Sequence, residues 1–137
     1  MAIEDKRATP RYRAKWKITI IFDAAEKKPV IHSYTNDLSL SGTAVNTDLN
    51  VASTKPVTVL LYPPLLYGED QQKTIAIKAD LAYTVFSGSD SCFRVGLHYT
   101  TFKDDGLQIL KDILERQFSV GSRDERLPGT AANGIFC

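Results

Sequence analysis

The strongest constraint on how this chain can fold is a period-two alternation that recurs along most of its apolar sequence. In KTIAIKADLAYTVF (73–86), Ile75, Ile77, Ala79, Leu81, Tyr83 and Val85 fall on one side. WKITIIF (16–22) does the same with Trp16, Ile18, Ile20 and Phe22, and CFRVGLHYT (92–100) with Phe93, Val95, Leu97 and Tyr99. Successive side chains of a strand point to opposite faces, so this pattern describes half-buried strands and no helix. VIHSYT (30–35), TAVNT (43–47) and VTVLLY (57–62) read as further strands, the last apolar on both faces as if covered from two sides. The run 73–86 is long for a small domain, so a bend or bulge is expected within it.

Between these runs lie DAAEKKP (23–29), NDLSLSG (36–42), PPLLYGEDQQ (63–72) and SGSDS (87–91), rich in the residues that form turns and loops. Only DGLQILKDILERQF (105–118) has helical spacing, with Leu107, Leu110, Ile113, Leu114 and Phe118 as its apolar stripe. Asp104 or Asp105 can cap its start, and Lys111 and Glu115 form an exposed charge pair. Its stripe is expected to pack over one open end or face of the sheet. Six or seven antiparallel strands and one C-terminal helix imply a small barrel or sandwich.

Several function classes fall away on composition. The chain has 137 residues, enough for one domain with its own core, and a formal net charge of +1. Such a balance provides no global field for DNA or an acidic membrane, so any electrostatic recognition is local. Cys92 and Cys137 lack metal or redox spacing, and no structural zinc or disulfide framework is expected. MAIEDKRATPRYR is no secretory signal, and no apolar run approaches the roughly 18 residues of a membrane span. The expectation is a soluble, cytoplasmic protein. His32 and His98 are expected to be surface or packing histidines, and Trp16 to plug the core.

Two motifs carry chemistry. The first is the basic run KRATPRYR (6–13), with Arg7 and Arg11 at the spacing RxxxR and Lys6 and Arg13 beside them. Pro10 excludes a regular helix there, so the arginines sit on an extended or turning segment. Arginine binds phosphate with a planar fork, stacks on purines and matches the O6 and N7 acceptors of guanine. The second is Asp37-Leu38-Ser39-Leu40-Ser41-Gly42, or DxSxxG. Its carboxylate can accept from guanine N–H groups, its serine can donate to phosphate, and its glycine permits a tight turn or a close approach.

RxxxR followed about thirty residues later by DxSxxG, on the first strands of a small β-protein, resembles the PilZ domain, a bacterial receptor family for cyclic di-GMP. Arg94-Val95-Gly96-Leu97-His98-Tyr99 resembles that family's late strand, and the resemblance spans roughly residues 5 to 118. It implies an all-β fold, a six- to seven-stranded antiparallel barrel with one C-terminal α-helix. It also implies a ligand site in which Arg7 and Arg11 grip phosphate and guanine, while Asp37 and Ser39 contact guanine and phosphate. Gly42 would shape the turn, Arg94 and Gly96 would border the site, and Lys6 would lean the stoichiometry toward two nucleotides. No metal, cofactor or catalytic residue is implied.

Residues 1–14 are expected to form a mobile basic segment, 15–118 the barrel and helix, and 119–137 a flexible tail. Ligand binding would order the N-terminal segment against the barrel and present a new surface to an unidentified protein partner. A different class is a small barrel that binds single-stranded nucleic acid through its basic N-terminus. Balanced charge across the strands argues against it, and nucleic acid is not an expected partner. A serine hydrolase using Ser39 or Ser41 fails because GxSxG is incomplete and a strand, not a helix, follows.

Overall fold

The computed structural model describes residues 10–65, 71–89 and 91–117. Lys6, Arg7, Phe118, Cys137 and the proposed tail lie outside these. The described chain forms β1 (Tyr12–Arg13), β2 (Lys17–Ile21), β3 (Ile31–Leu38), β4 (Gly42–Thr47), β5 (Val57–Tyr62), β6 (Ile75–Ser87) and β7 (Cys92–Phe102), then helix α1 (Gly106–Gln117). A single 3-10 turn at Ala24–Glu26 links β2 to β3, with the Asp23 carboxylate accepting from the Ala25 N–H at 2.9 Å.

Neighbours run in the order β3, β2, β5, β6, β7, β4, and β4 pairs back onto β3. Every pairing is antiparallel. The result is a closed six-stranded barrel plus one extra strand, since β1 adds to β3 beyond the end of β2. Closure pairs both edges of each barrel strand, which removes the open ladder that a small sheet would expose.

Alternation fills the interior. Ile18, Ile20, Val57, Val59, Leu61, Ile75, Ile77, Ala79, Val95 and Leu97 are all buried in one core with Trp16 and Leu38. Leu110, Ile113 and Leu114 of α1 join that core, each such side chain contributing about 1.5–3 kcal/mol by leaving water. The helix can lie close because Gly106 has no Cβ: one placed there would press on Ile75 and Phe102. This contact sets the rotation of α1 and leaves Leu107 46% exposed, correcting its expected place in the core stripe. Asp104 adopts a left-handed φ of 53° in the turn entering the helix, where the Gly106 N–H donates to Lys103 O. The helical ion pair that forms joins Asp112 to Arg116 at 3.2 Å.

β6 shows both the expected bend and its consequence. Its register against β7 shifts between Lys78 and Ala79 and again between Leu81 and Tyr83. The first leaves the extra residue on β7, whereas the second leaves Ala82 unpaired on β6, so the inward face of β6 changes parity there. Tyr83 and Val85 therefore point out, 44% and 50% exposed, where unbroken alternation placed them inside. β3 is also longer than its apolar pattern suggests. It runs through Asn36 and Asp37 to Leu38 because β1 and β4 pair with it there. Cys92 is buried. Among the described residues, no helix is long and apolar enough to cross a membrane.

Tyr99 faces the core, and its hydroxyl finds no hydrogen-bond partner there. Burial pushes its ionisation well above the ordinary range. A raised folded-state pKa means that stability is kept below the unfolded value, about 10, and lost progressively above it. Tyr99→Phe should therefore melt at the same or a higher temperature at neutral pH. It should also lose less stability than the parent between neutral pH and about pH 10.5, a difference read from paired thermal melts.

Candidate functional site

The site is assembled around the end of β3. Thr35 is fully buried, and its hydroxyl accepts from the Trp16 N–H at 3.0 Å and donates to Ala14 O. Its own N–H donates to Trp16 O at 2.9 Å. These bonds pin residues 14–16, the join between β1 and β2, and so direct the path of the chain back toward Arg11. One step later the β3–β4 register shifts between Thr35 and Asp37. Leu38 stays wholly buried, while the Asp37 side chain reaches the surface with 19% of it exposed.

The Asp37 carboxylate lies between two guanidinium groups. Arg11 Nη1 donates to Oδ1 at 2.7 Å, and Arg94 Nη2 of β7 lies 3.5 Å from Oδ2. One half of each motif has thus been brought together across 26 residues of sequence. Two cations about one anion leave a local excess of positive charge, which Arg13, opposite Asp37 in the ladder, extends. The Thr43 hydroxyl holds the Asp37 carbonyl at 2.6 Å, and Asn36 Nδ2 donates to Asn46 Oδ1 at 2.6 Å beside Arg94. Chemically, this corner offers forked cations for phosphate and one carboxylate acceptor for N–H donors.

Ser39 has a different position from Asp37. It is fully buried, and its Oγ accepts from the backbone N–H groups of Ser41 and Gly42 at 3.0 and 3.1 Å. Its N–H in turn donates to Gly42 O at 2.9 Å, closing the turn from both directions. Leu40 packs partly on the core and Leu38 fully, so the leucines seat the turn. A Cβ on Gly42 would run into the Leu97 carbonyl, so glycine lets β4 approach β7. On Gly96 it would enter the Tyr83 ring, so glycine there lets Tyr83 lie across β7, two residues from Arg94.

Of the residues singled out from sequence, Arg11, Asp37 and Arg94 therefore meet. Ser39, Gly42 and Gly96 build the wall behind or beside them, and Lys6 and Arg7 lie outside the described residues. Thr35, the Asn36–Asn46 pair and Tyr83 had no signal in sequence, because each matters through a partner on another strand. His98 is exposed, opposite Gly42 in the ladder, and His32 bonds to Thr19. Among the described residues, no group of three or more His, Cys, Asp or Glu side chains could hold a metal ion.

A family model for the PilZ domain matches residues 5–116. No curated protein matches by sequence. Among solved structures, the chain is similar to the Bacillus subtilis inhibitor of motility MotI/DgrA, at 18% identity and a TM-score of 0.66, covering 84% of this chain and 53% of that one. It thus spans about half the length of that protein. The MrkH–c-di-GMP complex of K. pneumonia is similar at 15% identity and a TM-score of 0.59, with 87% and 54% covered. The PilZ domain of Escherichia coli YcgR with c-di-GMP is similar at 13% identity and a TM-score of 0.52, with 93% and 98% covered. At these identities the likeness is one of fold.

The turn geometry separates two roles that the motif alone merges. Ser39→Ala leaves one buried and one partly buried N–H group without their acceptor and should cost about 1–3 kcal/mol in urea denaturation. Asp37→Ala removes only partly exposed ion pairs and should cost no more than about 1 kcal/mol.

Proposed function

The chain belongs to the PilZ domain family, and from that premise we propose that it is a non-catalytic bacterial receptor for cyclic di-GMP that works in the cytoplasm as an adaptor. The observation that carries this reading is the contact between Arg11 of RxxxR and Asp37 of DxSxxG, with Arg94 on the other carboxylate oxygen. Arg7, four residues before Arg11, adds the second fork of the motif.

Cyclic di-GMP brings two phosphate charges and two flat guanines. Phosphate draws Arg11 and Arg7, and a guanine N–H edge replaces guanidinium as a donor to Asp37. The Arg11–Asp37 pair is thereby exchanged for ligand contacts on both sides, and neither charge is left unpaired. Because the arginine side chain is 45% exposed, the ion pair that must open is a weak one. Ser39, Gly42 and Thr35 hold the corner in shape, and Gly96 with Tyr83 forms its β7 border. Lys6 favours two nucleotides per chain. The N-terminal segment then follows its arginines onto the ligand, and this rearrangement changes what a protein partner meets.

Calorimetric titration of the intact chain with cyclic di-GMP tests this directly. Binding should weaken by roughly tenfold to a hundredfold in Arg7→Ala, Arg11→Ala and Asp37→Ala, the loss of one charge-assisted contact each. Absence of binding to the parent protein would end the proposal.

A further inference from the structure

The outward side of β2 carries a feature that the nucleotide site does not use. With Ile18 and Ile20 buried, Lys17 and Thr19 face outward. In the ladder Lys17 stands opposite Tyr34 of β3 and Tyr62 of β5 at once. Thr19, only 5% exposed, bonds to His32 Nδ1 at 3.1 Å. Together with Gln72 these residues line a cavity of about 530 Å³, and among the described residues no acidic side chain lines it. Two tyrosines flanking a lysine above a buried threonine make an amphipathic socket.

The socket is continuous with a row of charge. Lys15 and Arg13 precede Lys17 at two-residue steps, and all three are exposed. Among the described residues none of them forms an ion pair. The row leads to Arg13 opposite Asp37, the edge of the nucleotide site. Both edges of β2 are paired, with β3 and with β5, so a partner on this face docks on side chains.

We propose that this face is the docking site for an acidic segment of a protein partner that carries one aromatic or leucine side chain. The apolar side chain enters the socket between Tyr34 and Tyr62, and the segment's carboxylates pair with Lys17, Lys15 and Arg13. Charge complementarity and the apolar, tyrosine-walled pocket give an anchor ringed by polar contacts, the usual plan of a small interface. Single-stranded nucleic acid fits less well, because the fixed charges end at Lys17; Thr19 and His32 follow. The partner's existence rests on the adaptor reading above, whereas the docking chemistry does not.

The test uses the full chain and a short fluorescein-labelled peptide of Glu, Asp and Ser with one central Phe, followed by fluorescence polarisation. The peptide should bind at low salt and weaken as salt rises. Lys17→Glu should reduce its affinity by about tenfold or more, as expected when a contact charge is reversed. Lys111→Glu, the same charge change on the exposed side of α1, should leave it unchanged, and both variants should keep the parent's affinity for cyclic di-GMP. No peptide binding, equal loss in both variants, or tighter binding of an oligothymidylate each overturns the inference. Peptide binding without nucleotide binding would sustain it and sink the receptor reading, and the reverse result would do the opposite.

Discussion

A sheet of six strands leaves two edges of unpaired N–H and C=O groups unless its outer strands meet. Here they meet where β3 pairs with β4, through Thr35–Val45, Asp37–Ala44 and Leu38–Thr43. The Asp37 corner is placed along that seam. β3 has neighbours on both sides there, β1 and β4, so its last residues stay extended despite a turn-forming composition. The one register shift in the seam falls between Thr35 and Asp37. It puts a carboxylate on the surface immediately beside a side chain that is completely buried.

The electrostatics of the corner follow from this placement. A carboxylate held by its backbone at a seam can gather cations from two directions. Arg11 comes from the segment before β1 and Arg94 from β7, on the far side of β4. Neither pair is deeply buried, so both are inexpensive to rearrange. The turn behind Asp37 is built differently, with Ser39 sealed inside and bonded to the backbone it closes. A rigid turn carrying exchangeable ion pairs fits the proposed receptor role, in which a ligand would replace side-chain contacts.

Alternation was a reliable guide wherever one strand kept one register. WKITIIF and the first half of KTIAIKADLAYTVF place their apolar residues where the core is, whereas VTVLLY, read as covered on both faces, buries only Val57, Val59 and Leu61 fully. It failed at Tyr83 and Val85, after a bulge whose position depends on the pairing of β6 with β7. In α1 the spacing gave the helix and most of its buried face, but Leu107 turned outward because Gly106 sits so close to Ile75 and Phe102. The two motifs, though short, contain Arg11 and Asp37 of the corner, yet they did not distinguish Asp37 at the surface from Ser39 within the turn. Both are polar residues of one hexapeptide, and only burial separates them.

By itself, the sequence determined that the chain would be strands with one closing helix, and it set arginines, an aspartate and a serine–glycine turn in two short motifs. Those properties are carried by residues within two to six positions of one another. Tertiary structure decided that Arg94 would stand across Asp37 from Arg11, that Tyr83 would cover Gly96, and that Lys17 would lie between two tyrosines. Each of these depends on which strand lies beside which and in what register. Period two leaves both undetermined, because alternation is satisfied equally well by every pairing that keeps the apolar face inside.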